Sequence, residues 1–309
     1  MSQIRTIHSV NHHLAWDNSL EPAMTIDPGT EVLLEIIDSS GGQLNQQSTV
    51  NDLLNLDFSR LNPVTGPIFV DGAEPGDVLT IEILELGDNG WGWSAIIPDF
   101  GLLASDFPNP TMHISTHKNG VVEFAPGIEI PARPFPGTIG VARKEPGAHS
   151  LMPPSCNGGN IDVRDMVAGS KLYLPVAVPG ALFSAGDTHL AQGDGEVCGT
   201  AIESALDLRV KIGLEKGYSI PAPQFQVNSP LRGREAERGY YATTGVGPDL
   251  FVAAQDAVRA MIDHLMREYG LSPELAYMLC SVTVDLKISE VVDAPNWVVS
   301  AYLPLGVFV

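Results

Sequence analysis

The chain has 309 residues, 44% of them hydrophobic, which is enough apolar material for one large core or two moderate ones. Its formal net charge of −20 argues against nucleic acid as a partner, because phosphate binding needs clustered Lys and Arg. No stretch approaches the ~20 apolar residues of a membrane span, and the start of the chain lacks the apolar core of a signal peptide. Three scattered cysteines do not make a disulfide framework. We therefore expect a cytoplasmic protein with no membrane partner.

Short apolar runs separated by Gly and Pro dominate the first two thirds of the chain. Val, Ile and Leu alternate with polar residues in VLLEIID (32–38), DVLTIEILEL (77–86) and KLYLPVAV (171–178). This alternation, with 31 Gly and 24 Pro, predicts strands joined by frequent turns, as in a sandwich or barrel. We expect residues 1–215 to form a β-rich region that carries most of the site motifs.

Helical periodicity is confined to the last third of the chain. Apolar residues at spacings of three and four predict a helix over 248–269, with Gly270 as its stop signal. A second helix is predicted over 273–282, with Ser272 as N-cap and proline at the first helical position. We expect an α+β region over 216–309, in which the closing strands return to a sheet.

The densest group of polar side chains lies in GDTHLAQGDGEVCGTAIE (186–203), which follows an apolar run. Asp187 and His189 are two residues apart, so on an extended strand they share a face and could bind one divalent cation. Asp38, at the end of a predicted strand, is a natural third ligand from a distant part of the chain. The histidine favours zinc, while oxygen-rich ligation admits calcium.

A proton shuttle is the second requirement of a hydrolytic site. Glu196 could take a proton from a metal-activated water and pass it on, and Asp194 beside it would help to raise its pKa. Burying Glu196 beside an apolar segment without a partner would be costly, which favours a functional role. Asp194 and Asp38 adjoin glycines, so both could equally cap turns.

Several other residues are weaker candidates. Asn160 and Asp162 in GGNID could bind substrate or metal, and Gln192 could bind substrate from the polar segment. One of the adjacent histidines, His13, could reach the site from the N-terminal strand. Cysteines offer a different mechanism, since an activated thiolate is a strong nucleophile, and Cys156 and Cys198 are the candidates. Free cysteines are more often buried small hydrophobes, so we favour the metal hypothesis.

The same polar segment resembles the central signature of the acetamidase/formamidase family. Further matches in family order are PPSCNGGNID (153–162), NPVTGPIFVDGAEPGDVLTIEI (62–83), PFPGTIGVA (134–142) and KISEVVDAP (287–295). The resemblance extends over nearly the whole chain. It implies a jelly-roll-like β-sandwich with a smaller C-terminal α+β portion. We also expect a homodimer, because exposed strand edges are commonly protected by association and members of the family tend to associate.

For function, the resemblance implies hydrolysis of a short linear amide, such as formamide or acetamide, to carboxylate and ammonia. Two alternatives stay open at this point. One is a hydrolase of cyclic amides such as γ-lactams. The other is a non-catalytic small-molecule binding protein that retains the fold.

Overall fold

The computed structural model describes residues 4–228, 233, 236–292 and 294–309. One of its two six-stranded sheets joins strands from distant parts of the chain. These strands are β1 (Arg5–Ile7), β4 (Thr30–Leu34), β6 (Val78–Leu86), β13 (Lys171–Pro175), β15 (Leu208–Glu215) and β16 (Gln224–Gln226). Their order is β1-β4-β15-β6-β13-β16, and only β1 and β4 pair in parallel within this sheet of described residues.

A second large sheet carries the central strand of the candidate site. Its strands are β2 (His12–His13), β3 (Met24–Ile26), β5 (Val64–Val70), β11 (Phe135–Gly140), β12 (Gly158–Asn160) and β14 (Phe183–His189). The order is β12-β11-β14-β5-β2, with β3 pairing in parallel with β5. Strand β14 therefore lies inside the sheet, hydrogen-bonded to β11 on one side and to β5 on the other.

The two large sheets face each other across one hydrophobic core. Alternate residues of a strand point to the same face, so the apolar positions Leu79, Ile81 and Ile83 of β6 all enter this core. Phe183 and Ala185 of β14 enter it from the opposite sheet. This arrangement confirms the mainly β fold and the sandwich that the alternating pattern predicts.

The rest of the chain adds two smaller sheets and three α-helices. One sheet is an antiparallel meander of β7 (Trp91–Ile96), β8 (Thr111–Lys118), β9 (Val121–Ala125) and β10 (Ile128–Pro131). The other contains β17 (Tyr240–Gly247), β18 (Asp285–Glu290) and β19 (Trp297–Pro304), in the order β17-β19-β18. The helices are α1 (Val50–Leu54), α2 (Leu250–Tyr269) and α3 (Pro273–Thr283), and short 3-10 turns cover Phe58–Arg60 and Leu305–Val307.

The two long helices begin and end close to their predicted limits. The Asp249 side chain caps α2 by accepting from two backbone N–H groups, and Gly270 ends it in the left-handed conformation at φ 66°. The Ser272 hydroxyl caps α3 by accepting from the Leu275 N–H. Among the helices of described residues, none combines the length and the apolar character that crossing a membrane requires.

The C-terminal elements share a core with earlier parts of the chain. Met261 of α2 and Tyr277 of α3 belong to the same buried cluster as Ile96, Leu190 and Leu303. One hydrophobic core therefore extends across the predicted boundary between regions 1–215 and 216–309. The division into these two regions stays a prediction. Part of the predicted boundary passage, residues 229–232 and 234–235, lies outside the described residues.

Close packing of β17 on α2 provides a test of this shared core. A Cβ atom at Gly245 would lie 1.9 Å from the Ala253 carbonyl oxygen, whereas one at Gly247 on the same strand would meet nothing within 4 Å. We expect Gly245→Ala to lower the free energy of unfolding by about 1–3 kcal/mol, because strand and helix must separate. Gly247→Ala is the matched control, with a change of about 0.5 kcal/mol or less. Equal denaturant midpoints for the two variants would contradict this packing.

Candidate active site

The site is built around His189, the last residue of β14, which is 1% exposed. Its Nε2 atom lies 3.2 Å from Asp187 Oδ1 and 3.2 Å from Glu203 Oε2. The two predicted partners on β14 therefore do meet, and a second carboxylate joins them from the far end of the polar segment. The imidazole is thus held between two buried carboxyl groups.

Gln192 fixes the orientation of this imidazole through the other ring nitrogen, Nδ1. Its Oε1 atom lies 3.1 Å from His189 Nδ1, and its Nε2 donates to the Asp162 carbonyl oxygen at 2.8 Å. Because an amide oxygen can only accept, Nδ1 carries the proton, and Nε2 is left to bind a proton or a cation. We predicted Gln192 as a substrate-binding residue, whereas the structure places its side chain against the histidine.

A second pair of carboxyl groups, Asp162 and Glu196, also approaches His189, with one oxygen of each and one imidazole nitrogen all within 4.8 Å of one another. Burial, followed by the charge of Asp187, raises the pKa of Asp162 to about 7. Burial and the charge of Asp162 raise the pKa of Glu196 well above its usual value. At neutral pH this pair therefore holds at least one proton.

The carboxylates that touch His189 behave differently. Burial opposes the ionisation of Asp187, but the charge of His189 and hydrogen bonds with His189, Glu203 and Thr138 outweigh it and lower the pKa of Asp187. Burial also opposes a charged His189, yet the charges of Glu203 and Asp187 raise its pKa well above the usual value. Burial raises the pKa of Glu203 despite the neighbouring His189 charge. The cluster therefore attracts positive charge at His189 Nε2.

Strained backbone accompanies these side chains. Of the eight described non-glycine residues with positive φ, four lie in or beside the cluster, where the left-handed conformation costs free energy. They are Asn62 (φ 55°), Asp162 (φ 45°), Asp187 (φ 52°) and Glu196 (φ 43°). Because such conformations persist only where surrounding contacts hold them, their concentration here favours a functional role over simple packing.

Gly137 on β11 provides the space in which the cluster sits. A Cβ atom there would lie 2.5 Å from Asp162 Oδ1 and 2.7 Å from the Cε1 atom of His189. The Asp162 Oδ1 atom is buried and has no hydrogen-bond partner. A glycine is thus required at this point, and an unsatisfied carboxylate oxygen lies next to it.

The donor atoms of the cluster fit a divalent cation. Two groups, Asp162–His189–Glu196 and Asp187–His189–Glu203, each offer three ligand atoms within 4.8 Å of one another. One imidazole nitrogen with carboxylate oxygens is a donor set that zinc and manganese accept. The unsatisfied Asp162 oxygen and the demand for positive charge at His189 both agree with this fit.

A small cavity of about 80 Å³ opens onto the cluster. Asp187, Glu196 and Glu203 form its acidic wall, and Asn62 and Asn160 form a polar wall next to it. We predicted Asn160 as a substrate-binding residue, and the structure places it at this cavity. Its Oδ1 lies 2.5 Å from Thr138 Oγ1 and 3.2 Å from Asn62 Nδ2, so its own Nδ2 is the group that can donate to a ligand.

Asp38, the predicted third metal ligand, belongs to neither group of ligand atoms. Its Oδ2 accepts from Trp93 Nε1 at 2.8 Å, and its Oδ1 accepts from Ser40 Oγ at 2.9 Å and from the Gly42 N–H at 3.0 Å. These bonds make it the cap of a tight loop, the other role that its position before glycines allows. Ser39 of that loop donates to Glu203 at 2.8 Å, so Asp38 acts on the cluster only through the loop.

Asp194, the predicted catalytic partner of Glu196, is also placed elsewhere. Its side chain is 46% exposed and pairs with Arg164, whose guanidinium also binds Asp285. The raised pKa of Glu196 is instead caused by burial and by the charges of the other cluster carboxylates. This placement agrees with the other role predicted for Asp194, in which an aspartate next to glycine caps a turn.

The remaining candidates belong to neither group of ligand atoms. His13 contacts Ser184 Oγ at 2.7 Å and the Ala15 carbonyl oxygen at 2.8 Å, and burial lowers its pKa to about 4. Cys156 is exposed, while Cys198 is buried and burial raises the pKa of its thiol. Neither sulfur belongs to the lining of the small cavity among the described residues. The geometry therefore does not favour a thiolate nucleophile.

Sequence reasoning missed Glu203 and gave Asp162 too little weight. Glu203 lies in VCGTAIESAL (197–206), a run of small and apolar residues in which a lone carboxylate is as unexpected as Glu196. That signal was available, since the same argument selects both glutamates. Asp162 lies two residues after strand β12, and only the fold shows that it reaches His189.

Known proteins resemble this chain over nearly its whole length. The model of the acetamidase/formamidase family matches residues 2–147 and 144–309. A formamidase from Methylophilus methylotrophus is 29% identical over 367 residues, covering 96% of this chain and 89% of the relative. An acetamidase from Mycolicibacterium smegmatis is 30% identical over 274 residues, covering 68% of this chain and 67% of the relative.

Solved structures agree with these sequence matches. A gamma lactamase from Delftia acidovorans superposes with a TM-score of 0.90 at 27% identity, covering 96% of this chain and 89% of that chain. An acetamidase from Bacillus halodurans gives a TM-score of 0.70 at 30% identity, with 97% of each chain covered.

Two variants, His189→Ala and Asp38→Ala, test whether His189 binds a metal and Asp38 does not. We expect His189→Ala to abolish binding of a stoichiometric divalent metal, because both ligand groups share this residue. Asp38→Ala should retain the metal yet lose about 1–3 kcal/mol of stability, because Trp93 Nε1 and the loop lose their acceptor. Elemental analysis and denaturant unfolding are the measurements. Loss of metal in Asp38→Ala at unchanged stability would restore Asp38 as a ligand.

Proposed function

The chain belongs to the acetamidase/formamidase family, and we propose that it hydrolyses short linear amides to a carboxylate and ammonia with a metal-activated water. The observation that carries this proposal is one imidazole held between two buried carboxylates, beside a protonated carboxyl pair. Amide hydrolysis needs an activated nucleophile, a polarised carbonyl and a proton for the departing nitrogen. The cluster offers groups suited to each requirement.

We assign the cation to Asp187, His189 and Glu203, all of which are buried. The lowered pKa of Asp187 keeps that carboxylate ionised, as a ligand must be. When bound, a divalent cation lowers the pKa of a coordinated water and polarises the carbonyl. Zinc is our preferred ion because an imidazole is among the ligands, and calcium is the alternative.

We assign proton transfer to Glu196, supported by Asp162. Glu196 lies on the cavity wall, and its raised pKa keeps a proton available at neutral pH for the leaving nitrogen. The charge of Asp162 contributes to the raised pKa of Glu196, so Asp162 helps to keep the proton on the Glu196 side chain. Asn160 Nδ2 is suited to donate to the substrate carbonyl from the polar wall of the cavity.

A cyclic amide is the second candidate substrate. The TM-score of 0.90 with the gamma lactamase, against 0.70 with the acetamidase from Bacillus halodurans, supports keeping it. The chemistry would be the same, since a γ-lactam is an amide closed into a ring. The two candidates differ only in the shape that the cavity admits.

The assembly and location of the protein are separate proposals. We propose a homodimer, because sheets with open edges are commonly protected by association and closed two-fold dimers are the commonest homo-oligomers. We also propose a cytoplasmic location, in keeping with the free cysteines Cys156, Cys198 and Cys280. Light scattering that gives 33.0 kDa, the mass of one chain, would contradict the dimer.

Ammonia release from a panel of amides tests the function directly. We expect turnover of formamide and acetamide by the metal-loaded protein and loss of that turnover with a chelator, restored by added Zn²⁺. Faster turnover of a γ-lactam than of any linear amide would favour the second candidate. Substrate binding without ammonia release would identify a non-catalytic binding protein. Full activity after complete metal removal would contradict the metal mechanism.

The proton-shuttle role predicts a specific effect of Glu196→Gln. The variant should keep fold and metal but lose about 10²–10⁴-fold in kcat with little change in KM, because glutamine cannot donate this proton. Asp194→Asn is the matched control two residues away, and its exposed ion pair with Arg164 should leave kcat within about threefold. Steady-state kinetics on acetamide is the measurement. Similar losses in both variants would contradict the separation of their roles.

A further inference from the structure

A large apolar pocket lies next to the small acidic cavity. Its volume is about 640 Å³, compared with about 80 Å³ for the cavity at the cluster. Among its described lining residues none is charged, and only Ser59 and Ser150 have polar side chains. It contains five of the nineteen large hydrophobic side chains that are exposed in the described chain. These five are Leu14, Leu54, Phe58, Phe100 and Met152.

The pocket and the cavity share a wall. Five residues line both spaces: Leu56, Leu61, Ile97, Phe100 and Met152. Phe100 lies against Gly199, where a Cβ atom would be 2.4 Å from the phenyl ring. Because position 199 is a glycine, the Phe100 ring can lie between the acidic cavity and the apolar pocket.

We propose that this pocket binds the acyl chain of the substrate, and that preferred substrates are linear primary amides with an apolar acyl group of about four to six carbons. The inference rests on the proposed amidase function. A cavity of about 80 Å³ accommodates the amide group and little more, so a longer acyl chain must extend past the shared wall. The apolar lining stabilises that chain by removing it from water.

The reaction is ordinary hydrolysis of the amide. Water adds to the carbonyl carbon, the C–N bond breaks, and the products are the carboxylate and ammonium, with no oxidant or second reactant. Each methylene that enters an apolar pocket is worth a few-fold in kcat/KM, and about threefold is expected here. The value for hexanamide should then exceed that for acetamide at least tenfold.

The test compares kcat/KM for acetamide, butyramide and hexanamide, measured by ammonia release with the metal-loaded full chain. Phe58→Ser places a hydroxyl in the pocket and should lower the hexanamide-to-acetamide ratio at least fivefold. Phe251→Ser is the matched control, because Phe251 is 61% exposed, Phe58 is 63% exposed, and only Phe58 lines the pocket. Leu54→Ser is the second pocket variant, used if Phe58→Ser does not fold.

The outcomes separate this inference from the function on which it rests. The inference is supported if kcat/KM rises with acyl-chain length in the unmodified protein and in Phe251→Ser, and rises less in the pocket variants. Turnover of acetamide with no gain for hexanamide overturns the inference and leaves the amidase function intact. Absence of ammonia release from every amide overturns both. A pocket variant that converts an oligomer into a monomer at an unchanged substrate ratio would show instead that a second copy of the chain covers this surface, which also overturns the inference.

Discussion

The constraint on which the site depends is the packing of four carboxyl groups, two of them buried and two half-buried, around a single imidazole. Water is largely excluded from Asp187, His189 and Glu203, so each charge there must be balanced by a neighbour or removed by a proton. The opposite pKa shifts of Asp187 and Asp162 express this competition, since only some of the four groups can ionise together. A divalent cation would satisfy the same demand, because it brings more positive charge than the proton on His189.

This constraint explains why two members of the cluster lie on a buried central strand. Strand β14 is paired on both sides and buried along its length, so Asp187 and His189 have few alternative positions. The other carboxylates come from loops, and helix α3 holds the loop that carries Glu196. Tyr277 OH donates to the Val197 carbonyl oxygen, and Ser281 Oγ donates to the Thr200 carbonyl oxygen at 2.6 Å. The C-terminal helical portion thus contributes no side chain to the cluster, yet it positions the proposed proton donor.

The sequence predicts the fold better than it predicts the site. Alternation of apolar residues in β6 and helical spacing in α2 are local patterns, so strands, helices and caps such as Ser272 follow from neighbouring residues. The i, i+2 relation of Asp187 and His189 is also local, and these two side chains do meet. Asp38 and Glu203 differ in a way that local pattern cannot show. Each is a carboxylate that follows a short apolar run, and only the crossing of distant segments decides which one reaches His189.

Two residues of one short segment show how the fold selects among chemically plausible groups. Glu196 and Cys198 are two residues apart, and burial raises the pKa of both. For a carboxyl group this shift creates a proton donor at neutral pH, whereas for a thiol it suppresses the thiolate that would act as the nucleophile. Their surroundings reinforce the difference, because Glu196 faces the cavity while Cys198 Sγ packs against the Ala95 carbonyl oxygen at 3.4 Å. The same desolvation therefore favours acid–base chemistry on an activated water and disfavours covalent catalysis by sulfur.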